Sequence, residues 1–334
     1  MRRAARSHIG RARARARANI ALAKYWGKCD DALNLPAVPS ISLTLDRLST
    51  VTEVCFDRAL NNDLVAIDGV VVSGRPRDRV VTMLDRVRAR AGLEARARVT
   101  SRNAFPTAAG LASSASGFAA LAAAASTAAG LSLPPRELSR LARLSSASAA
   151  RSIFGGFAEL PAGRAGNGAL AARALFGVDH WDVRLVVALT TLAPKDVGST
   201  EAMERSRRTS PLYAAWLEEA PRLARRIRRA LSDRDLSRLG PAMERSTLAF
   251  HACAMTSSPS VLYWQPATVA LLHAVRRLRE EKNVQAFATM DAGPNVKVLC
   301  HSGDAATVAR ALRRAPGALR VITCAPGAGV EELP

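Results

Sequence analysis

Lysine is scarce in this chain. There are five, at 24, 28, 195, 282 and 297, although lysine and arginine together number 48 of 334 residues. Aromatic residues make up only 4%, too few for a platform on which single-stranded bases could stack. The five cysteines include no C-x-x-C pair, so neither a zinc site nor a disulfide framework is expected. They read as buried small hydrophobes in a reducing compartment. No run of about eighteen apolar residues occurs, which excludes a membrane-spanning helix. The Arg-rich start lacks the apolar stretch of a secretory signal. No Gly-Lys-Ser/Thr closes a Walker A loop.

What is present is charge and apolar bulk. The net charge is +20 and 49% of the residues are hydrophobic. That is enough to bury a sizeable core, in one large or two ordinary domains. Basic charge attracts nucleic acid or acidic small molecules. The arginines are spread along amphipathic segments such as Arg222–Arg229 and Arg276–Arg279. Nucleic-acid binding needs them gathered on one face; a compositional habit of replacing lysine by arginine explains the pattern at least as well.

Residues 103–118, Asn-Ala-Phe-Pro-Thr-Ala-Ala-Gly-Leu-Ala-Ser-Ser-Ala-Ser-Gly-Phe, read as a small-residue loop entering a helix. Ser113 or Ser114 would cap that helix, and Ala119–Ala125 would propagate it. Bare N–H groups at a helix start make a seat for phosphate. A small-residue helix packed tightly on a sheet would look the same. Upstream, Arg and Ala alternate from residue 10, predicting a strand with one charged face. It leads to Lys24-Tyr25-Trp26-Gly27-Lys28, where two of the rare lysines could serve a phosphorylated substrate as point charges. Ile41–Leu45 and Thr50–Phe56 read as two strands, and Leu64–Ile67 with Val70–Val72 as a hairpin. Helices are expected over 77–91 and from Pro134–Pro135 to about Leu144.

Hydroxyls at 145, 146, 148 and 152 surround Arg151. They suit either a bidentate grip on an anion or a cluster of helix caps. A strand over Val183–Leu189 places a domain boundary near residue 180. Lys195, Ser199 and Thr200 then fall in an anion-friendly loop. Long helices are expected at about 211–231, 233–255 and 265–281. His251 reads as a helix-face residue rather than a metal ligand. A strand over 284–290 ends in Asp291-Ala292-Gly293-Pro294-Asn295, where Asp291 starts a tight turn. Arg320–Thr323 reads as the last strand.

These segments together resemble one family. Pro106-x-x-x-Gly110-Leu111-x-Ser113-Ser114-Ala115 resembles the phosphate loop of the GHMP kinases. Lys24-Tyr25-Trp26-Gly27-Lys28, Arg151-Ser152 before Gly155-Gly156-Phe157, and Asp291-Ala292-Gly293-Pro294-Asn295 resemble its decarboxylase branch, the diphosphomevalonate decarboxylases. The likeness spans about residues 18–300 in the family's order. Two departures stand out. The family's Gly-Ser-Gly-Ser appears here as Ser145-Ser146-Ala147-Ser148, and the basic segment before residue 18 is unlike the family.

The resemblance implies an α+β, two-layer GHMP kinase fold. A ribosomal protein S5-like domain would span 1–180 and a ferredoxin-like domain 181–334, with the active cleft between them. It also implies a homodimer that uses ATP and Mg²⁺; the cysteine usage points to the cytoplasm, and no protein-built metal site is expected. The activity implied is conversion of mevalonate 5-diphosphate to isopentenyl diphosphate, with release of CO₂, ADP and phosphate. Decarboxylation of the monophosphate, or a 3-kinase that stops after phosphorylation, would keep the same fold. A basic nucleic-acid-binding protein is the alternative of another class. By resemblance, Asp291 is the acid/base partner of the substrate hydroxyl, Lys195 faces the transferring phosphoryl group and Arg151 orients the carboxylate. Asn19, Tyr25, Trp26, Gly27, Lys28, Ser146, Ser148, Ser199 and Thr200 would receive the substrate. Gly110, Leu111, Ala112, Ser113 and Ser114 would cradle ATP.

Overall fold

The computed structural model describes residues 8–105, 113–193 and 196–334. The chain begins β1 (His8–Ala23), β2 (Lys28–Asp30), β3 (Leu35–Pro36), β4 (Ser40–Asp57), β5 (Leu64–Ile67) and β6 (Val70–Val71). It continues α1 (Gly74–Ala91), β7 (Arg96–Asn103), α2 (Ser113–Ala128), α3 (Pro135–Ser145), α4 (Ala149–Ser152), β8 (Phe157–Leu160) and β9 (Arg173–Phe176). The second half runs β10 (Val183–Leu189), α5 (Ser199–Thr209), α6 (Tyr213–Asp233), α7 (Leu236–Met255), α8 (Pro266–Lys282), β11 (Ala286–Met290) and β12 (Val296–His301). It closes with α9 (Ala305–Arg314), β13 (Arg320–Cys324) and β14 (Glu331–Leu333). Among the described residues two main sheets form. One is ordered β14-β1-β4-β7-β5-β6 with β8 and β9 branching from β4, and the other is β11-β12-β10-β13.

The alternation in β1 produces the first layer. Ala14 and Ala16 are fully buried against α2, and such small side chains let that helix lie close to the sheet. Along α2, Ala119–Ala125 are all buried, as expected of a helix that is apolar all round. At its far end the backbone comes so near that a Cβ on Gly10 would stand 2.1 Å from the Ala128 carbonyl oxygen. Arg11, Arg15 and Arg17 point the other way and pair with Glu53 and Glu331.

The second sheet is apolar on both faces, as β10 shows. Val186 and Ala188 pack with Leu271, Val275, Val308 and Leu312 of α8 and α9. Leu185 and Val187 pack with Leu223 and Ile227 of α6, Met243 of α7, and Ile20 and Leu43 of the first sheet. The core on that side is therefore shared between the two sheets.

Several expectations change. Ile41–Leu45 and Thr50–Phe56 are one strand, β4. Exposed Asp46 and Arg47 look like a turn in sequence but form a bulge. Arg17 pairs with Ser49, yet Asn19 pairs with Thr44, which bends the ladder without ending it. Ser199 and Thr200 open helix α5 rather than lying in a loop, and α9 is an additional helix. Arg320–Cys324 is not the last strand, because β14 returns to pair antiparallel with β1. On its way, the Gly327 carbonyl accepts from Gly156 N–H at 2.9 Å, and Gly327 N–H donates to the Thr44 carbonyl at 2.8 Å. Of the cysteines, Cys253, Cys300 and Cys324 are buried, whereas Cys29 is exposed and Cys55 half-buried, so the expectation of five buried cysteines holds for three. No described helix is long and apolar enough to cross a membrane.

Candidate active site

A cleft of about 780 Å³ is lined by the end of β1, the segment 144–151, the first turns of α1, α2 and α5, and the turn after β11. Asp291 stands at its floor. The turn that carries it is stitched on three sides. Gly293 N–H donates to the Asp291 carbonyl at 2.7 Å. Asn295 Oδ1 accepts from Thr190 N–H at 2.7 Å, and the Pro294 carbonyl accepts from the Thr268 hydroxyl at 2.7 Å. Both carboxylate oxygens face ammonium groups. Lys24 Nζ donates to Oδ1 at 2.8 Å. Lys297 Nζ lies 3.1 Å from Oδ2, close enough for an ion pair but outside good hydrogen-bond geometry. Burial alone would raise the Asp291 carboxyl; the two lysines outweigh it and hold the group well below the usual carboxylate range. Burial lowers Lys24 to about 8, against the pull of Asp291.

Arg151 is buried on α4, and its donors are fixed by the first sheet. Nε reaches Ser42 Oγ at 3.0 Å and Asn19 Oδ1 at 3.3 Å, and Nη1 reaches Ser40 Oγ at 2.5 Å. Burial lowers this guanidinium to about 10, with Asp291 pulling the other way, so it stays charged near neutral pH. Asn19 is held in turn, donating to the Ser148 carbonyl at 2.9 Å and Ser152 Oγ at 2.7 Å.

The Lys-Tyr-Trp-Gly-Lys turn divides its work. Trp26 is buried against Phe250, with ring centroids 5.0 Å apart, and its carbonyl accepts from Trp216 Nε1 at 2.8 Å. Gly27 has φ +101°, and a Cβ there would meet the Tyr213 hydroxyl at 2.1 Å. It shapes the turn and is not among the residues lining the cleft. Tyr25 and Lys28 do line it. Burial pushes the Tyr25 phenol up; Lys28 sits 3.3 Å from Asp31.

The cleft also gathers Ser146, Ser148, Ser199, Thr200, Ser113 and Ser114. The two loop serines face each other, Oγ to Oγ, at 3.0 Å. Gly110, Leu111, Ala112 and Lys195 lie outside the described residues.

One participant was misread in the sequence and three were missed. Lys24 is not a free point charge for phosphate but the partner of Asp291. Lys297 had a signal, a lysine between valines in a buried strand. Arg75 and Arg79, on the first turns of α1, line the cleft with Ser113 and Ser114. Arg79 also donates to the Ser145 carbonyl at 2.9 Å. In a chain so rich in arginine nothing marked them out.

This donor set suits a polyphosphate: arginines, hydroxyls and a helix N-terminus converge. Among the described residues no group of three His, Cys, Asp or Glu side chains could hold a metal ion. Magnesium keeps its waters and binds mainly through substrate phosphates, which the arginines and hydroxyls here would hold. A carboxylate flanked by fixed cations beside a phosphate-binding rim is the equipment for phosphoryl transfer to a small acidic alcohol.

The fold and this cleft define a member of the GHMP kinase class. The profile for the diphosphomevalonate decarboxylase-like N-terminal domain matches residues 16–171. That for the mevalonate 5-diphosphate decarboxylase C-terminal domain matches residues 185–324. The chain belongs to the diphosphomevalonate decarboxylase family. It is 35% identical over 328 residues to diphosphomevalonate decarboxylase mvd1 of Aspergillus fumigatus, covering 91% of this chain and 80% of the relative. The crystal structure of mevalonate diphosphate decarboxylase from Staphylococcus aureus superposes with a TM-score of 0.92 at 37% identity, over 97% of this chain and 98% of that one. A related decarboxylase solved with MVAPP, AMPPCP and magnesium superposes with a TM-score of 0.90 at 36% identity, over 97% and 99% of the two chains.

Proposed function

We propose that this chain catalyses the ATP-dependent decarboxylation of mevalonate 5-diphosphate to isopentenyl diphosphate, in the mevalonate route to isoprenoids. The observation that carries it is Asp291, a half-buried carboxylate kept ionised at the floor of a basic cleft, in a chain of this family. The substrate's tertiary hydroxyl is a poor leaving group. Phosphorylation by ATP makes it a good one. Phosphate then departs, positive charge develops at C3, and the carboxylate leaves as CO₂ while its bonding pair forms the double bond. ADP and phosphate are the other products.

Asp291 orients the 3-hydroxyl and takes its proton as the oxygen attacks; position matters more here than basicity. Arg151, pinned by Ser40, Ser42 and Asn19, orients the substrate carboxylate. Tyr25, Lys28, Ser146, Ser148, Ser199 and Thr200 receive the diphosphate, with Asn19, Trp26 and Gly27 supporting that wall. Gly110, Leu111, Ala112, Ser113 and Ser114 cradle the ATP phosphates, and Lys195 offsets charge on the transferring group. Bound Mg²⁺ supplies further neutralisation of phosphate charge. Two sheets and two separate family matches support a division into domains near residue 180, although β14 crosses back. A homodimer and a cytoplasmic location, where ATP is supplied, belong to the same proposal.

The test incubates purified protein with Mg-ATP and, separately, mevalonate, its 5-phosphate and its 5-diphosphate, following CO₂ and ADP. Equal CO₂ and ADP with the diphosphate alone is the expected result. The same with the monophosphate would reassign the substrate, and ADP without CO₂ would make the protein a kinase. Neither product with any of the three would remove the assignment.

A further inference from the structure

Lys297 occupies a costly place. It lies in β12, which pairs with β10 and β11 on its two sides, opposite Val187 and Thr289, and it is fully buried. Val296 and Val298 point into the core under α8 and α9. Lys297 therefore points to the opposite face, where the sheet meets the first half of the chain. Its surroundings offer little. The neighbouring Thr289 hydroxyl is engaged with the Thr247 hydroxyl at 2.9 Å. The one acidic side chain within ion-pair distance of Lys297 among the described residues is Asp291. An apolar side chain would fill such a position at less cost, because a buried charge must be compensated locally. The fold itself has no need of an ammonium group here, and the group that compensates it is the carboxylate at the cleft floor.

The two lysines on Asp291 differ in their mounting. Lys297 is held within a sheet ladder. Lys24 ends a strand and leads into the Tyr25–Lys28 turn, and it sits on the oxygen opposite the one Lys297 faces. Resting on the function proposed above, we infer that Lys297 is a positioning residue for the reaction. It fixes Asp291 Oδ2 permanently, so that Oδ1 can exchange the Lys24 ammonium for the substrate hydroxyl without the carboxylate swinging or losing its charge. The lowered pKa of Asp291, held down by Lys24 and Lys297 against burial, is consistent with this. Among the described residues, Lys24, Lys297 and Arg151 are the cations around the carboxylate. His251, on α7 nearby, is kept neutral by burial, which lowers it to about 3.

The test replaces Lys297 by Met and measures steady-state kinetics, the pH profile and thermal melting. The expected result is a kcat lower by about 10²-fold, the scale of a small misplacement of a reacting group. KM for ATP should stay within about twofold. The acid limb of kcat/KM should move to higher pH, because Asp291 has lost a cation. Unchanged kcat and an unchanged acid limb would overturn the inference, whatever happens to the melting temperature. If Lys297→Met does not fold, Lys297→Gln carries the same kinetic criteria. A second arm needs no turnover. Asp291→Asn should lower the melting temperature by leaving Lys297 unpaired, and adding Lys297→Met should restore it in part. Additive losses would overturn the pairing. Absence of CO₂ from the unsubstituted protein would instead sink the proposed function, and the melting arm would still decide the pairing.

Discussion

The floor and the rim of the cleft handle charge in opposite ways. At the floor, Asp291, Lys24, Lys297 and Arg151 are fixed against one another or against hydroxyls before any substrate arrives. At the rim, Arg75 and Arg79 stand exposed beside the opening, with Lys28 paired to Asp31 just inside it. Preorganised charge in a dry site acts strongly on a transition state. Charge at an open rim is screened by salt and acts mainly on binding. The difference teaches which substitutions should lower turnover and which should only weaken capture.

The largest break in that contrast is Asp291→Asn. Turnover should fall on the order of 10³-fold or more while ATP binding stays nearly intact; unimpaired turnover would falsify its place in the mechanism. Arg151→Lys comes next. One ammonium cannot hold Ser40, Ser42 and Asn19 together and still face a carboxylate in a planar fork. The substrate kcat/KM should fall by about 10², measured by steady-state kinetics, and a change under about twofold would separate Arg151 from the substrate.

The pH response of the floor follows from Lys24. Its ammonium is lost as pH rises through about 8, whereas a lysine in an unfolded chain holds its proton to about 10.5. Across that window the folded chain binds fewer protons than the unfolded one, so this group's contribution to stability rises with pH. Activity should move the other way. The kcat/KM should decline above pH 8 by roughly tenfold per unit, and Lys24→Arg should shift that limb upward. A flat profile to pH 10 would show that the charged form of Lys24 is not required. The smallest effect belongs to the rim. Lys28→Ala should raise the substrate KM by about fivefold to tenfold with kcat nearly unchanged, and a loss confined to kcat would move Lys28 to the chemistry.

Much of this was legible locally. The Arg-Ala alternation of β1, the alanine run of α2 and the Asp-Ala-Gly-Pro-Asn turn each carry their own period or turn chemistry. What was hidden depends on distant partners. Lys24 looked like a phosphate ligand because its true neighbour lies 267 residues away. Strand β4 looked like two strands because the bulge at exposed Asp46 and Arg47 interrupts its alternation. Arg75 and Arg79 were lost in an arginine-rich background. β14 is too short to announce itself, and only its partner β1 makes it a strand.

That last strand ties Arg151 to the chain's far end. The returning segment crosses beside the residues that follow α4, where Gly329 is so close that a Cβ would stand 2.4 Å from the Ile153 carbonyl oxygen. Val330 N–H donates to the same carbonyl at 3.2 Å. The two sheets are thus joined by two runs of backbone, one before β10 and one after β13. The apolar core they share is a third tie. A displacement at β14 is therefore passed through Val330 and Ile153 to the segment that carries Arg151.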